Sequence, residues 1–172
     1  MTIARKTILI TGAGTGIGHD AAFALAGRGH SVIAATLDEA QAEALRAEAS
    51  RRNQVLDVIK LDITNADDRL RIADRAIDVL INNAGVGESG SLAEVEVDRI
   101  RRAFEVNVFA TLELTQLVLK GMIARRRGTV LFVSSIAGRV PMPFLMPYGM
   151  TKFALSAGGA ALREEIDLLD KN

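Results

Sequence analysis

Residues 6–27, KTILITGAGTGIGHDAAFALAG, constrain the fold of this chain more than any other stretch. Residues 7–10 are β-branched and apolar and predict a buried strand. Four glycines follow at alternating positions, Gly12, Gly14, Gly16 and Gly18, with Thr15 and Ile17 between the last three. Ala21, Ala22, Phe23, Leu25 and Ala26 then fall at helical spacing. Strand, glycine turn and helix in that order place backbone without Cβ atoms beside the first free N–H groups of a helix. A phosphate can approach such a turn closely. Over this stretch alone, a glycine-rich turn that binds nothing would look the same.

The 172 residues are 49% apolar and carry 21 basic and 21 acidic side chains, enough for one globular domain with a core of its own. The zero net charge argues against nucleic acid as the main partner. With no cysteine there is no disulfide framework and no thiolate metal site. His19 and His30 are isolated and read as surface or loop histidines, so no metal is expected. No continuous apolar run reaches the ~18 residues needed to cross a bilayer. The N-terminus enters a strand without a secretory apolar segment. The expectation is a soluble, cytoplasmic protein with no membrane contact.

Further along, residues 31–36 predict a second strand. Asp38 and Gln41 form a capping box that opens a helix to about residue 52. Residues 54–61 predict a third strand ending at Asp62, followed by a short helix over about 66–75. Residues 78–82 predict a fourth strand, closed by Asn83, Ala84 and Gly85. A long helix is expected over about 97–127, with Arg125, Arg126, Arg127 and Gly128 as its C-terminal cap. Residues 129–134 predict a fifth strand. A loop over 136–147 holds all 3 prolines, and a last helix runs from near Tyr148 to about Leu169. Apolar strands alternating with helices imply an α/β fold, a doubly wound parallel sheet of the Rossmann type. Its ligand crevice lies at the carboxyl ends of the strands.

Tyr148 and Lys152 stand one helical turn apart, so phenol and ammonium are neighbours, and the positive charge favours the phenolate. That pairing suits proton transfer to or from an alcohol. Ser135 follows the fifth strand, where its hydroxyl can donate to a substrate oxygen as charge develops there. Asn107 falls in mid-helix, where its side chain competes with backbone hydrogen bonds.

The run from Thr11 to Gly18 resembles the cofactor loop of the short-chain dehydrogenases/reductases. So, in order, do Asp62, the NNAG string at 82–85, Asn107, Ser135, Tyr148 and Lys152. The resemblance covers almost the whole chain and implies an NAD(P)-dependent oxidoreductase acting on a carbonyl or secondary alcohol. It implies a catalytic set of Asn107, Ser135, Tyr148 and Lys152. Tyr148 is the general acid or base, and Lys152 supports it and holds the nicotinamide ribose. Ser135 polarises the carbonyl, and Asn107 holds a water linked to Lys152. The resemblance places the cofactor on Gly12, Gly14, Thr15, Gly16, Ile17, Gly18, Thr36, Asp62, Ile63, Asn83, Ala84 and Gly85, together with Tyr148 and Lys152. By the same resemblance, Thr36 and Leu37 would occupy the positions that discriminate NAD from NADP, and no fixed cation is evident for a 2′-phosphate, which favours NAD.

Members of the family usually continue past this point with further strands and a substrate lid. The chain is therefore expected to lack those C-terminal parts, leaving the fifth strand as an apolar sheet edge. Alternatives are a partner that covers this edge, or impaired activity. The apolar loop over 140–146, with Val86, would suit a hydrophobic substrate; it could equally pack on its own core. A homodimer or homotetramer is expected through the long helix and the Tyr148 helix, at Leu112, Leu114, Ala154, Leu155 and Ala161. The competing reading is a non-catalytic nucleotide-binding or scaffold protein of the same fold.

Overall fold

The computed structural model describes residues 4–169. Five strands form one sheet in the order β3-β2-β1-β4-β5: β1 (Thr7–Thr11), β2 (Ser31–Thr36), β3 (Asp57–Lys60), β4 (Val79–Asn82) and β5 (Thr129–Phe132). The pairings of β1 with β2, β1 with β4 and β2 with β3 are parallel, with Leu9 opposite both Ile33 and Leu80. Parallel neighbours need crossover connections, which α1 (Gly16–Gly27), α2 (Glu39–Arg51) and α3 (Ala66–Leu70) supply. The two central strands are buried on both faces, which is why they read as unbroken apolar runs. Ile8, Ile10, Val32, Ala34 and Val58 pack with Ala22 and Phe23 of α1 and Ala42 and Leu45 of α2. The expected strands at 54–61, 78–82 and 129–134 and the helix at 66–75 are all shorter than predicted. Val55, for example, stands 88% exposed outside the ladder.

The chain forms two compact units, one of residues up to Ala84 with Ala110–Leu131, the other of Gly85–Phe109 with residues from Phe132 onward. The sheet, α1, α2, α3 and α5 (Thr111–Ala124) make up the first. The second holds α4 (Val97–Phe104), all but the last residue of a π-helical turn at Glu105–Ala110, a 3-10 turn at Ile136–Gly138 and α6 (Met146–Leu169). Within it, α6 packs on both α4 and the 3-10 turn. The helix expected over 97–127 is therefore interrupted: a π turn inserts one extra residue where Asn107 lies.

The capping of α2 is as expected at Asp38, whose Oδ1 accepts the Gln41 N–H at 2.8 Å. The reciprocal bond is shifted by one residue, because Gln41 Oε1 accepts from Leu37 N–H at 3.4 Å. The arginine run caps the helix as expected at Arg125, but the stop is made differently. The α5 helix ends at Ala124, and Arg126, not Gly128, takes the left-handed conformation, at φ 51°. Arg125 donates to Ile77 O at 3.0 Å and Arg127 to Asp78 Oδ1 at 3.1 Å, tying the helix end to the start of β4. Gly128 is bare because a Cβ there would collide with the Met122 side chain.

By length and composition alone one helical stretch, Val97–Ala124, could cross a membrane, although charged residues such as Glu105, Glu113 and Lys120 interrupt it and it holds no continuous apolar run of that length. Its inward face explains the composition, since Leu114, Thr115, Val118 and Met122 are buried.

Candidate active site

In the first unit the carboxyl ends of β1, β2 and β3 lead into Gly12, Leu37 and Leu61. Gly12 has φ +65°, and a Cβ on it would stand 2.9 Å from Ala84 Cα. Gly18 is bare for a similar reason: a Cβ would strike Gly12 O and the Asn83 amide. Gly14 lies against the Gln41 carboxamide. Gly16 is different. At φ +58° it has nothing within 4 Å of its Cβ position, so its backbone faces open space. The adjoining Thr15 makes no side-chain cap bond to α1, no acidic residue occupies the first turn, and Ile17 is 73% exposed. The first amides of α1 thus lack the side-chain partner that most helices supply.

The loop is held by β4. Asn83 Nδ2 donates to Thr11 O at 2.9 Å and Gly12 O at 3.1 Å. Thr11 Oγ1 accepts from Asn83 N and Ala84 N, each at 3.0 Å. Asn82, at the end of β4, donates to Thr115 Oγ1 at 2.9 Å. Asp62 Oδ1 closes a local turn on Thr64 N at 2.9 Å, and Ile63 is buried. Thr36 is wholly buried, and its hydroxyl is directed at Asp38 O and Ile59 O, at 3.1 and 3.3 Å. It has no free hydroxyl proton for a ribose.

Asn107, Ser135, Tyr148, Lys152 and Gly85 all belong to the second unit. Pro147 occupies the first turn of α6, where its missing N–H has no intrahelical acceptor to lose, and Tyr148 and Lys152 follow on that helix. Lys152 is 4% exposed. Its Nζ donates to Val133 O at 2.8 Å and lies 5.6 Å from the centroid of the Tyr148 ring. Among the described residues no carboxylate is paired with it, and burial pushes its ammonium below the ordinary lysine range.

Ser135 Oγ accepts from Ala137 N at 3.2 Å and caps the 3-10 turn, which leaves its hydroxyl proton for another acceptor. Ser134 Oγ donates to Lys152 O at 3.1 Å and lies 2.8 Å from Ser156 Oγ. A Cβ on Gly138 would come within 2.6 Å of both Lys152 O and Ser134 Oγ, so the 3-10 turn lies directly on the Lys152 backbone.

Asn107 is fully buried. Its Oδ1 accepts from Val86 N at 2.7 Å, and its Nδ2 donates to Val86 O at 2.9 Å and Thr151 Oγ1 at 3.0 Å. Sequence reasoning missed three residues in these two clusters: Thr11, Thr151 and Gln41. Thr11 was visible only as the first residue of the glycine loop and Gln41 only as part of a helix cap. The signal for Thr151 was its place three residues after Tyr148, where a threonine hydroxyl can reach back to a helix carbonyl.

The fold is of the doubly wound, Rossmann-like α/β class. The chain belongs to the short chain dehydrogenase family, whose model matches residues 6–168. A short-chain type dehydrogenase/reductase of Sinorhizobium fredii is 39% identical over 159 residues, covering 92% of this chain and 62% of its own length. A short-chain dehydrogenase from Sphingobium yanoikuyae in complex with NADPH is similar at TM-score 0.85 and 28% identity, over 94% of this chain and 66% of that one. A 7α-hydroxysteroid dehydrogenase complexed with NADH and 7-oxo glycochenodeoxycholic acid matches at TM-score 0.85 and 29% identity, with the same coverage. The chain spans from 50% to 62% of the length of the first curated relatives.

Proposed function

We propose that the protein is an oxidoreductase interconverting a carbonyl compound and a secondary alcohol with a nicotinamide dinucleotide. The observation that carries this reading is the buried ammonium of Lys152, unpaired with any described carboxylate and one turn from Tyr148. Desolvating a lysine is costly, and such a group is characteristic of a functional site. The nicotinamide supplies or accepts the hydride when bound.

The chain's own residues handle the rest. Tyr148 gives its phenolic proton to the carbonyl oxygen during reduction and takes it back during oxidation. Ser135 donates its remaining proton to the same oxygen. Lys152 supports the tyrosine anion and holds the ribose hydroxyls. Asn107 keeps one Oδ1 lone pair for a water on the path from Lys152 to solvent. The dinucleotide fits the first unit, since the open backbone of Gly16 and the uncapped amides of α1 suit a pyrophosphate. Gly12, Gly14, Thr15, Ile17 and Gly18 shape that turn, Asp62 and Ile63 flank the adenine, and Asn83, Ala84 and Gly85 line the crevice.

NAD is the preferred cofactor in this reading. Thr36 is buried with its proton directed inward, and Leu37, half exposed, carries no charge for a 2′-phosphate. The substrate is uncharged and hydrophobic, because Val86, Val140, Met142 and Phe144 all stand exposed and do not pack into a core. A homo-oligomer is proposed through the outer faces of the long helix and α6. Leu114 and Leu155 point inward and are unavailable, whereas Leu112, Phe109, Met150 and Phe153 are exposed.

The deciding experiment replaces Tyr148 with Phe and assays a panel of ketones with NADH and NADPH. Turnover should fall by several orders of magnitude; unchanged turnover ends the proposal.

A further inference from the structure

The Tyr148 turn hangs on a side chain that the reaction does not use. Thr151 is completely buried on α6. Its Oγ1 lies 3.0 Å from Asn107 Nδ2 and 2.7 Å from Tyr148 O. The direction of every proton in this chain follows from the donors. Asn107 Oδ1 faces the Val86 N–H, so the amide is oriented with its two Nδ2 protons on Val86 O and Thr151 Oγ1. The threonine hydroxyl must therefore accept from Asn107. It has one proton to give, and gives it to the carbonyl of Tyr148.

We propose that Thr151 is a positioning residue that fixes the Tyr148 turn of α6 by linking it, through Asn107, to the Gly85–Val86 backbone. The π turn at Glu105–Ala110 carries Asn107 at the centre of that link. Gly85 lies on the same link, since a Cβ there would stand 3.1 Å from Asn107 Oδ1 and 3.5 Å from Lys152 Nζ. One buried polar chain thus joins the backbone of Val86 to the backbone of the proposed acid/base. Removing the hydroxyl strands one Asn107 proton in the interior and frees the Tyr148 carbonyl. The role in turnover rests on the proposed reaction; the structural role does not.

Tyr148 is the only tyrosine and the chain has no tryptophan, so the tyrosine band of the near-ultraviolet circular dichroism spectrum reports this turn alone. The test compares Thr151→Val, of the same shape, with Thr151→Ser, which keeps the hydroxyl. Thr151→Val should lose at least about half of the tyrosine band and reduce kcat by about tenfold or more, with cofactor KM within about twofold. Thr151→Ser should retain both signals. The proposal is overturned if Thr151→Val keeps the wild-type band, or if Thr151→Ser is damaged as much as Thr151→Val. Should Thr151→Val fail to fold, Thr151→Ala is read in the same way. Loss of fold in both, with Thr151→Ser folded, shows a role in stability alone and also overturns the proposal. If the wild type reduces no carbonyl, the proposed reaction falls while the spectroscopic comparison still decides the role of Thr151.

Discussion

The side-chain amide of Asn83 donates to two consecutive carbonyl oxygens of the turn after β1, Thr11 O and Gly12 O. Thr11 returns the contact by accepting the backbone N–H groups of Asn83 and Ala84 on its hydroxyl. The glycine turn and the end of β4 therefore hold each other. Asn83→Ala should cost about 1–2 kcal/mol in urea unfolding and weaken dinucleotide binding. Asn83→Asp should cost more, because a carboxylate would face two carbonyl oxygens. Equal stability for wild type and Asn83→Asp would mean that the turn is supported elsewhere.

Gly18 and Gly16 should respond differently to alanine. At Gly18 a methyl group meets the Gly12 carbonyl oxygen and the Asn83 amide, neither of which can retreat without breaking the turn. Gly18→Ala should lower stability by about 2 kcal/mol or more. At Gly16 the space is open and only the left-handed backbone is strained, so Gly16→Ala should cost about 1 kcal/mol. Calorimetric titration with NADH should nevertheless show a large loss of affinity for Gly16→Ala, since the methyl lies where the phosphates are proposed to rest.

Lys152 is a site where stability is surrendered. Burial lowers its folded pKa from the ordinary 10.5, so the unfolded chain binds more protons between the two values. Stability should rise with pH through that window, and below it the cost of burying the charge is present in full. Lys152→Met should remove the cost at neutral pH and gain on the order of 1 kcal/mol while abolishing turnover. A destabilised Lys152→Met would show that the bond to Val133 O outweighs the desolvation.

His19 was expected to be an ordinary surface or loop histidine, yet it joins α1 to α2. Its Nδ1 lies 2.9 Å from Asp20 Oδ1 and its Nε2 3.1 Å from Glu48 Oε2, with Phe23 edge-on at 4.9 Å and Arg52 also paired with Glu48. The hydrogen bond to Asp20, followed by that to Glu48, raises its pKa above 6.5 against the opposing effect of burial. The stabilisation is complete below the unfolded value and is lost as pH rises through the folded one. The thermal midpoint should therefore fall from about pH 6 to about pH 8 by the equivalent of about 1 kcal/mol or less. His19→Gln should flatten that slope, and an unchanged slope would assign it to other groups.

Light scattering at micromolar concentration should report a dimer or larger assembly. Leu112→Asp together with Phe153→Asp should shift it to monomer with little loss of thermal stability, as both side chains already face solvent. A wild-type monomer would remove the proposed interface.

Much of this molecule could be read from local pattern. The parallel strands were legible because both their faces are buried and their apolar runs are unbroken, as at residues 31–36. The glycine turn was legible because its backbone conformations exclude other residues. Strand and helix ends were not. Where residues 54–56 leave the ladder depends on what β2 offers as a partner, and local apolarity does not record that. The arginine run does close α5, with Arg125 as its C-cap, but the helix ends three residues early and without a glycine stop. Arg125 and Arg127 were assigned to the helix dipole, but their partners, Ile77 and Asp78, lie about fifty residues away in sequence.

The division follows the range of the forces. Period, glycine placement and the one-turn spacing of Tyr148 and Lys152 are local, so the sequence alone determined an α/β chain with a glycine turn between its first strand and helix and a tyrosine one helical turn from a lysine. The tertiary structure alone decided that Thr36 turns its hydroxyl inward and that Lys152 is buried with its ammonium on the Val133 carbonyl. It alone placed Asn107 in a π turn where its amide is shared between Val86 and Thr151. Each of these depends on which distant backbone group comes within hydrogen-bonding reach once water is excluded, and no sequence spacing encodes that distance.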